Sequence, residues 1–204
     1  MGGKKLVRGF GINDADYVVQ IKETVGYSAE GKRIQKHTWV CPFYARWSHM
    51  INRCYGVRSK NPSYKGCTVC EEWRYFSKFR AWMEPQNWEG KELDKDLICP
   101  GNKVYAPELC TFVSKEINAF LTDRRNHRGD YKIGVAKYHN KYRAYISNQK
   151  GGMLYLGLYG TEDEAFNAWL TEKLKRANLL ASKETNPVVA EALVKYFESY
   201  KETC

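Results

Sequence analysis

The chain has no apolar stretch long enough to cross a bilayer, and its first residues, MGGKKLVRGFG, contain no apolar run of the kind an export signal carries. Met1-Gly2 is not followed by the Ser or Thr that myristoylation requires. These absences predict a soluble, intracellular protein of the cytoplasm with no membrane partner. There is no low-complexity tract and no internal repeat, so repeat architectures are excluded. Carboxylates are in deficit: 23 Asp+Glu stand against 33 Lys+Arg, a net charge of +10 and a pI near 9.2, which points to a polyanionic partner. Disulfides are not expected either, because seven cysteines in a chain without an export signal read as reduced thiols. What is present is an aromatic chain of 204 residues, 43% hydrophobic and 14% aromatic, enough to bury a core in two small modules.

The charge is concentrated. From Arg124 to Lys150 there are eight cationic side chains, Arg124, Arg125, Arg128, Lys132, Lys137, Lys141, Arg143 and Lys150, and one carboxylate, Asp130. Such clustering favours phosphate contact and salt-sensitive binding. The same region has strand periodicity. Along Lys141 to Ser147, Tyr142, Ala144 and Ile146 fall on one face and Lys141, Arg143 and Tyr145 on the other. After the turn signal Asn148 to Gly152, Leu154, Leu156 and Leu158 alternate with Met153, Tyr155 and Tyr159, which predicts a hairpin. A short run from Lys132 to Lys137 supplies a third strand, with Ile133 and Val135 inward and Gly134 permitting close backbone approach. Thr161 followed by Glu164 is a capping-box signature, and Phe166, Trp169, Leu170, Leu174 and Ala177 form a helical stripe suited to the oily sheet face.

Gly134-Val135, Lys141-Tyr142, Ala144, Ile146, Leu156-Gly157, Tyr159, Thr161 and Glu164-Ala165 match the pattern of the AP2 DNA-binding domain, which this segment resembles. The resemblance implies a three-stranded sheet packed on one helix, laid in the major groove of double-stranded DNA. By that resemblance Lys137, Lys141, Arg143 and Tyr155 are DNA contacts, with Tyr145 on the same basic face. The plant members' Arg and Trp base readers in the first strand have no counterpart here.

The central stretch is different. An aromatic helix-like run from Phe43 to Tyr55 is followed by YKGCTVCEEW and by Trp73, Phe76, Phe79, Trp82 and Met83 at helical spacing, which reads as core. Next, ELDKDLICPGNKVYAPELCTFVSKEIN reads as strand, loop, strand, helix. Trp47, Met50, Arg53-Cys54, Gly66-Cys67, Val69-Cys70, Trp73, Leu93-Asp94, Tyr105, Pro107, Cys110 and Asn118 resemble the HNH (His-Me finger) endonucleases of phages and mobile elements. Joined to the AP2-like segment, they resemble the HNH/AP2 homing-type proteins of tailed phages. That resemblance implies a ββα hairpin holding one divalent cation, Mg²⁺ or Mn²⁺, on the scissile phosphate, with a His activating water. Asp94 and Asn118 match the family's positions, but Lys95 stands in place of the His and Leu109 in place of the middle Asn. A lysine is ordinarily protonated at neutral pH and cannot accept a proton, although it can clamp phosphate. His37, His49 and Asp96 are the other groups that could take part in such a site.

Cys67-Thr-Val-Cys70 is a C-x-x-C, which with Cys54 and Cys110 would supply four ligands of a structural Zn²⁺ site. Buried free thiols are the alternative, and Cys41 and Cys99 are substitute ligands. In the N-terminal part, YVVQIKETV and KRIQKHTWV flank a turn-like Gly26 to Lys32 and predict a β-hairpin packed on the central module. Asn186-Pro187 opens a C-terminal helix carrying Val188, Val189, Ala192, Leu193 and Phe197, which either covers the core or forms a homodimer. The expected organisation is α+β: a hairpin extension over 1–40, an HNH-like module over 41–121, a linker over 122–130, an AP2-like domain over 131–183 and a terminal helix over 184–204. The expected function is double-stranded DNA binding with cleavage weakened or lost. The alternatives are an active metal-dependent endonuclease and, more weakly, a phage regulator or host-takeover factor that binds DNA.

Overall fold

The computed structural model describes residues 6–57, 64–122, 130–148 and 151–201. They form a mixed α+β fold of nine short strands and five helices, divided into two compact units at Phe112/Val113.

In the first unit an N-terminal segment leads into β1 (Gln20–Tyr27) and β2 (Arg33–Val40), an antiparallel hairpin. Pro42 at the first turn opens α1 (Pro42–Tyr55), whose Tyr44, Trp47, Met50 and Ile51 are buried. A one-turn 3-10 helix, Glu72–Arg74, precedes α2 (Phe76–Met83), which buries Phe76, Phe79 and Met83. Asp14 starts α2 from a distance: its carboxylate accepts from the Ser77 amide at 2.8 Å and the Ser77 hydroxyl at 2.5 Å. Trp47 and Trp73 are wholly buried, and the Trp47 indole donates to the Trp73 carbonyl at 2.7 Å. These rings are the largest fully buried side chains in the unit, and the hydrogen bond removes the penalty for the enclosed Trp47 N–H alone. Around this core lie β3 (Thr68–Val69) parallel to β5 (Val104–Tyr105), and β4 (Glu92–Asp94) paired with β6 (Thr111–Val113).

The hairpin is not packed on this core as expected. From Ile21 to Trp39 every residue is exposed except half-buried Gly26 and Ser28. Only its base is held, by buried Val19 and Cys41 and the Cys41 amide donating to the Val19 carbonyl at 2.8 Å. The segment before it packs instead, with Phe10 stacked on Tyr55 at 4.3 Å.

The second unit begins within β6. Ser114 caps α3 (Lys115–Leu121) by accepting from the Ile117 amide at 3.1 Å. A sheet in the order β7-β8-β9 follows, made of β7 (Val135–Tyr138), β8 (Lys141–Ser147) and β9 (Met153–Tyr159). It is backed by α4 (Glu162–Ala181), and α5 (Pro187–Glu198) completes the unit. The capping box forms as its spacing predicts: Glu164 Oε2 accepts from the Thr161 amide at 3.0 Å while Thr161 Oγ1 accepts from the Glu164 amide at 3.2 Å. Asn186 likewise caps α5, accepting from Val188 at 3.0 Å. α5 covers a core: Val189, Leu193 and Phe197 are buried, and Phe197 meets Phe120 of α3 and Trp169 of α4.

Two sequence boundaries and one register move. α3 belongs to the second unit, not to a module ending at 121, because Phe120 packs on Phe197 and its carbonyl accepts from Lys173 Nζ at 2.7 Å. The first strand of the sheet starts at Val135, not Lys132; Lys132–Gly134 is a turn closed by the Val135 amide on the Lys132 carbonyl at 3.1 Å. In β9 the register slips by one residue where Tyr145 pairs with Tyr155 and Ala144 with Gly157, leaving Leu156 extra. The bulge breaks the expected Leu alternation: Leu158 becomes the partner of Arg143, and Tyr159 the partner of Tyr142 on the helix side.

Candidate functional site

The sheet of the second unit separates its side chains cleanly. Val135, Ala144 and Ile146 are buried toward α4, with Ala165, Phe166, Trp169 and Leu170 covering them. Gly134 makes this fit: its φ is +78°, and an added Cβ would lie 2.1 Å from the Trp169 ring. The other face is open. On it Arg143 lies over the Tyr138 ring at 3.2 Å and donates to the Tyr145 hydroxyl at 3.4 Å, and Tyr145 meets the Tyr155 ring at 5.5 Å. Tyr138, Arg143, Tyr145 and Tyr155 therefore run as one connected row across all three strands. Tyr155 is 52% exposed and Tyr138 40%. Exposed Lys141, the register partner of Tyr138, adds a second cation at the end of the row. Such a row offers cations to anions and ring faces to planar groups.

The other basic positions differ in their surroundings. Lys137 pairs in register with Tyr142 and lies over that ring at 4.0 Å, so it sits on the opposite register face from Arg143. Lys132 is tied to the start of α4, its amide donating to Glu162 Oε1 and its ammonium to Asp163 Oδ1, both at 2.6 Å. Arg124, Arg125 and Arg128 lie outside the described residues. Tyr138 was missed by sequence reasoning, because the strand had been ended at Lys137; the Tyr-His-Asn run that closes the β7–β8 turn, with His139 at a φ of +51°, was the signal.

Asp94 and Lys95 share a closed loop. Asp94 Oδ1 accepts from the Asp96 amide at 2.9 Å and the Leu97 amide at 2.7 Å, which turns the chain after β4. Burial raises the Asp94 carboxyl above its ordinary range, against the lowering effect of those two amides. Lys95 is only 4% exposed; its ammonium donates to Asp96 Oδ1 at 2.6 Å and to the Asn102 carbonyl at 2.8 Å. Asn102 returns the contact, donating to the Lys95 and Val104 carbonyls at 3.0 and 2.7 Å. Held by a carboxylate and a carbonyl, Lys95 closes the loop. Asn118 lies half-buried in α3 of the second unit, and His37 and His49 are both exposed on other elements.

The four thiols read as zinc ligands share one part of the core: Cys54 feels Cys67, and Cys110 feels Cys70. Burial pushes the Cys54 and Cys110 thiols up to about 12. Among the described residues no three His, Cys, Asp or Glu side chains are gathered so as to hold a metal ion. Both amides that Asp94 accepts from bond its Oδ1. No helix among the described residues is long and apolar enough to cross a membrane.

No family model, no curated protein and no solved structure matches the chain.

Proposed function

We propose that the protein binds double-stranded DNA through the open face of the β7–β9 sheet, as an AP2-like reader attached to an HNH-like unit that serves as a binding body. The observation that carries this reading is the row Tyr138, Arg143, Tyr145 and Tyr155 with Lys141 at its end, a cationic and aromatic face left uncovered while the opposite face is closed by α4. Cations neutralise phosphates, and an arginine braced by two tyrosines is held in an extended pose suited to a base edge. The net charge of +10 supports the same partner.

The enclosed Lys95 ammonium favours binding without cleavage. A second reading, a metal-dependent endonuclease, is supported by Asp94 at the end of β4, a strand paired with β6. Both readings meet in one assay: purified protein with supercoiled plasmid, with and without Mg²⁺ or Mn²⁺, beside Asp94→Ala. Intact plasmid throughout is the expected outcome; metal-dependent nicking lost in Asp94→Ala would establish the nuclease. For the interface, Lys141→Ala with Arg143→Ala is expected to weaken duplex affinity and to reduce the log–log salt slope by about two. Unchanged binding would remove this face from the function. Metal analysis of the folded protein is expected to find no stoichiometric zinc; one equivalent per chain would show that the four cysteines regroup as ligands.

A further inference from the structure

The β1–β2 hairpin has no role in the reading above, and its exposure is unusual. A two-stranded ribbon gains little stability by itself in water, because neither face buries apolar surface. Here both faces are open over almost the entire span from Ile21 to Trp39, with Tyr27 66% exposed. A ribbon so built is completed by whatever covers it, and its register shows what that is.

Strand β2 alternates without interruption from Arg33 to His37, so Arg33, Gln35 and His37 share one face. Their partners across the ladder are Tyr27, Thr24 and Lys22. That face therefore carries two fixed cations, a histidine, an amide, a hydroxyl and a tyrosine, and no carboxylate. The acid of the paired strands, Glu23, falls on the reverse face opposite Lys36. The side chains of Lys22 and Arg33 make no hydrogen bond or ion pair among the described residues. The two irregularities in the ladder, at Ile21/Lys22 and Thr24/Gly26, add right-handed twist to the ribbon.

We infer that the Lys22, Thr24, Tyr27, Arg33, Gln35 and His37 face of the hairpin is a second DNA-binding element that enters a groove of the duplex. Eight residues of strand extend roughly 26 Å, and a major groove about 12 Å wide admits a two-stranded ribbon. Lys22 and Arg33 meet phosphates, while Gln35, Thr24 and His37 supply the donors and acceptors that base edges require. A second copy of the chain is the less suitable occupant, since it would bring this cationic face against its own kind. The inference rests on the reading of the chain as a duplex-binding protein.

The test uses the full chain, a labelled duplex of random sequence and a salt titration. Lys22→Ala with Arg33→Ala removes two phosphate contacts, so the salt slope is expected to fall by about two and affinity at low salt by about tenfold or more. Lys36→Ala, on the reverse face, is expected to lose far less. Both variants alter exposed side chains, and circular dichroism checks that the fold is kept. As a second measurement, p-benzoylphenylalanine at Tyr27 is expected to crosslink to the duplex on irradiation. Hairpin variants that bind like the unaltered protein, while Lys141→Ala/Arg143→Ala weakens binding, would overturn this inference alone. If the unaltered protein binds no duplex, both readings fall. A dimer in sedimentation that is lost in Ile34→Ser/Trp39→Ser with DNA affinity unchanged would assign the ribbon to a second copy and overturn the inference.

Discussion

At the scale of single residues, the loop after β4 shows how a buried lysine closes a turn. Lys95 donates to Asp96 and to the Asn102 carbonyl, and Asn102 answers with two donations of its own. The lysine is visible in the sequence; the closure is not, because it depends on a partner seven residues away across a turn. Asp94 carries the testable consequence. Its folded carboxyl titrates above its unfolded counterpart because burial disfavours the charge. Folding therefore favours the protonated form, and that contribution is complete at low pH and lost as pH rises through the raised folded value. Asp94→Asn keeps an oxygen for the Asp96 and Leu97 amides without the buried charge. It is expected to gain stability relative to the unaltered protein as pH climbs through and past the ordinary carboxylate range, read by urea melts at a series of pH values. A difference that shrinks with rising pH would contradict this account.

Among the elements, those with a strong period were legible and those with an irregularity were not. The aromatic run of α1, the stripe of α4 and the caps at Thr161 and Asn186 stand where spacing puts them, since each follows from local hydrogen bonding and a continuous apolar face. β9 misled because Leu-Gly-Leu reads as even alternation, while the bulge at Leu156 shifts every later residue to the other face. Gly157, at a φ of +148°, was the sign: a Cβ there would meet the Tyr159 ring within 3 Å. Gly134 was read correctly, and it sets the distance between β7 and α4. Gly134→Ala combines an unfavourable positive φ with a clash against Trp169, so a loss of about 2 kcal/mol or more is expected in chemical denaturation. A smaller loss would mean that Trp169 has room to move.

For the whole molecule, the composition pointed to two small modules, which the structure has, but it could not divide them correctly. The polar, basic run after residue 121 looks like a linker by its residues, and the division of the chain was drawn there. The contacts of Phe120 and Lys173 draw it instead at Phe112/Val113, because long-range packing decides unit membership and leaves no mark in local composition. A fragment beginning at Tyr131 is therefore expected to aggregate or melt early, whereas one beginning at Val113 is expected to fold, as judged by near-UV circular dichroism and a cooperative melt. Equal behaviour of the two fragments would show α3 to be dispensable. The placement of α3 also bears on how such a protein could be recombined. Gene exchange that cut at the basic run would deliver the β7–β9 sheet without the Phe120 surface that α5 leans on, so a heritable breakpoint belongs at Phe112/Val113, inside β6.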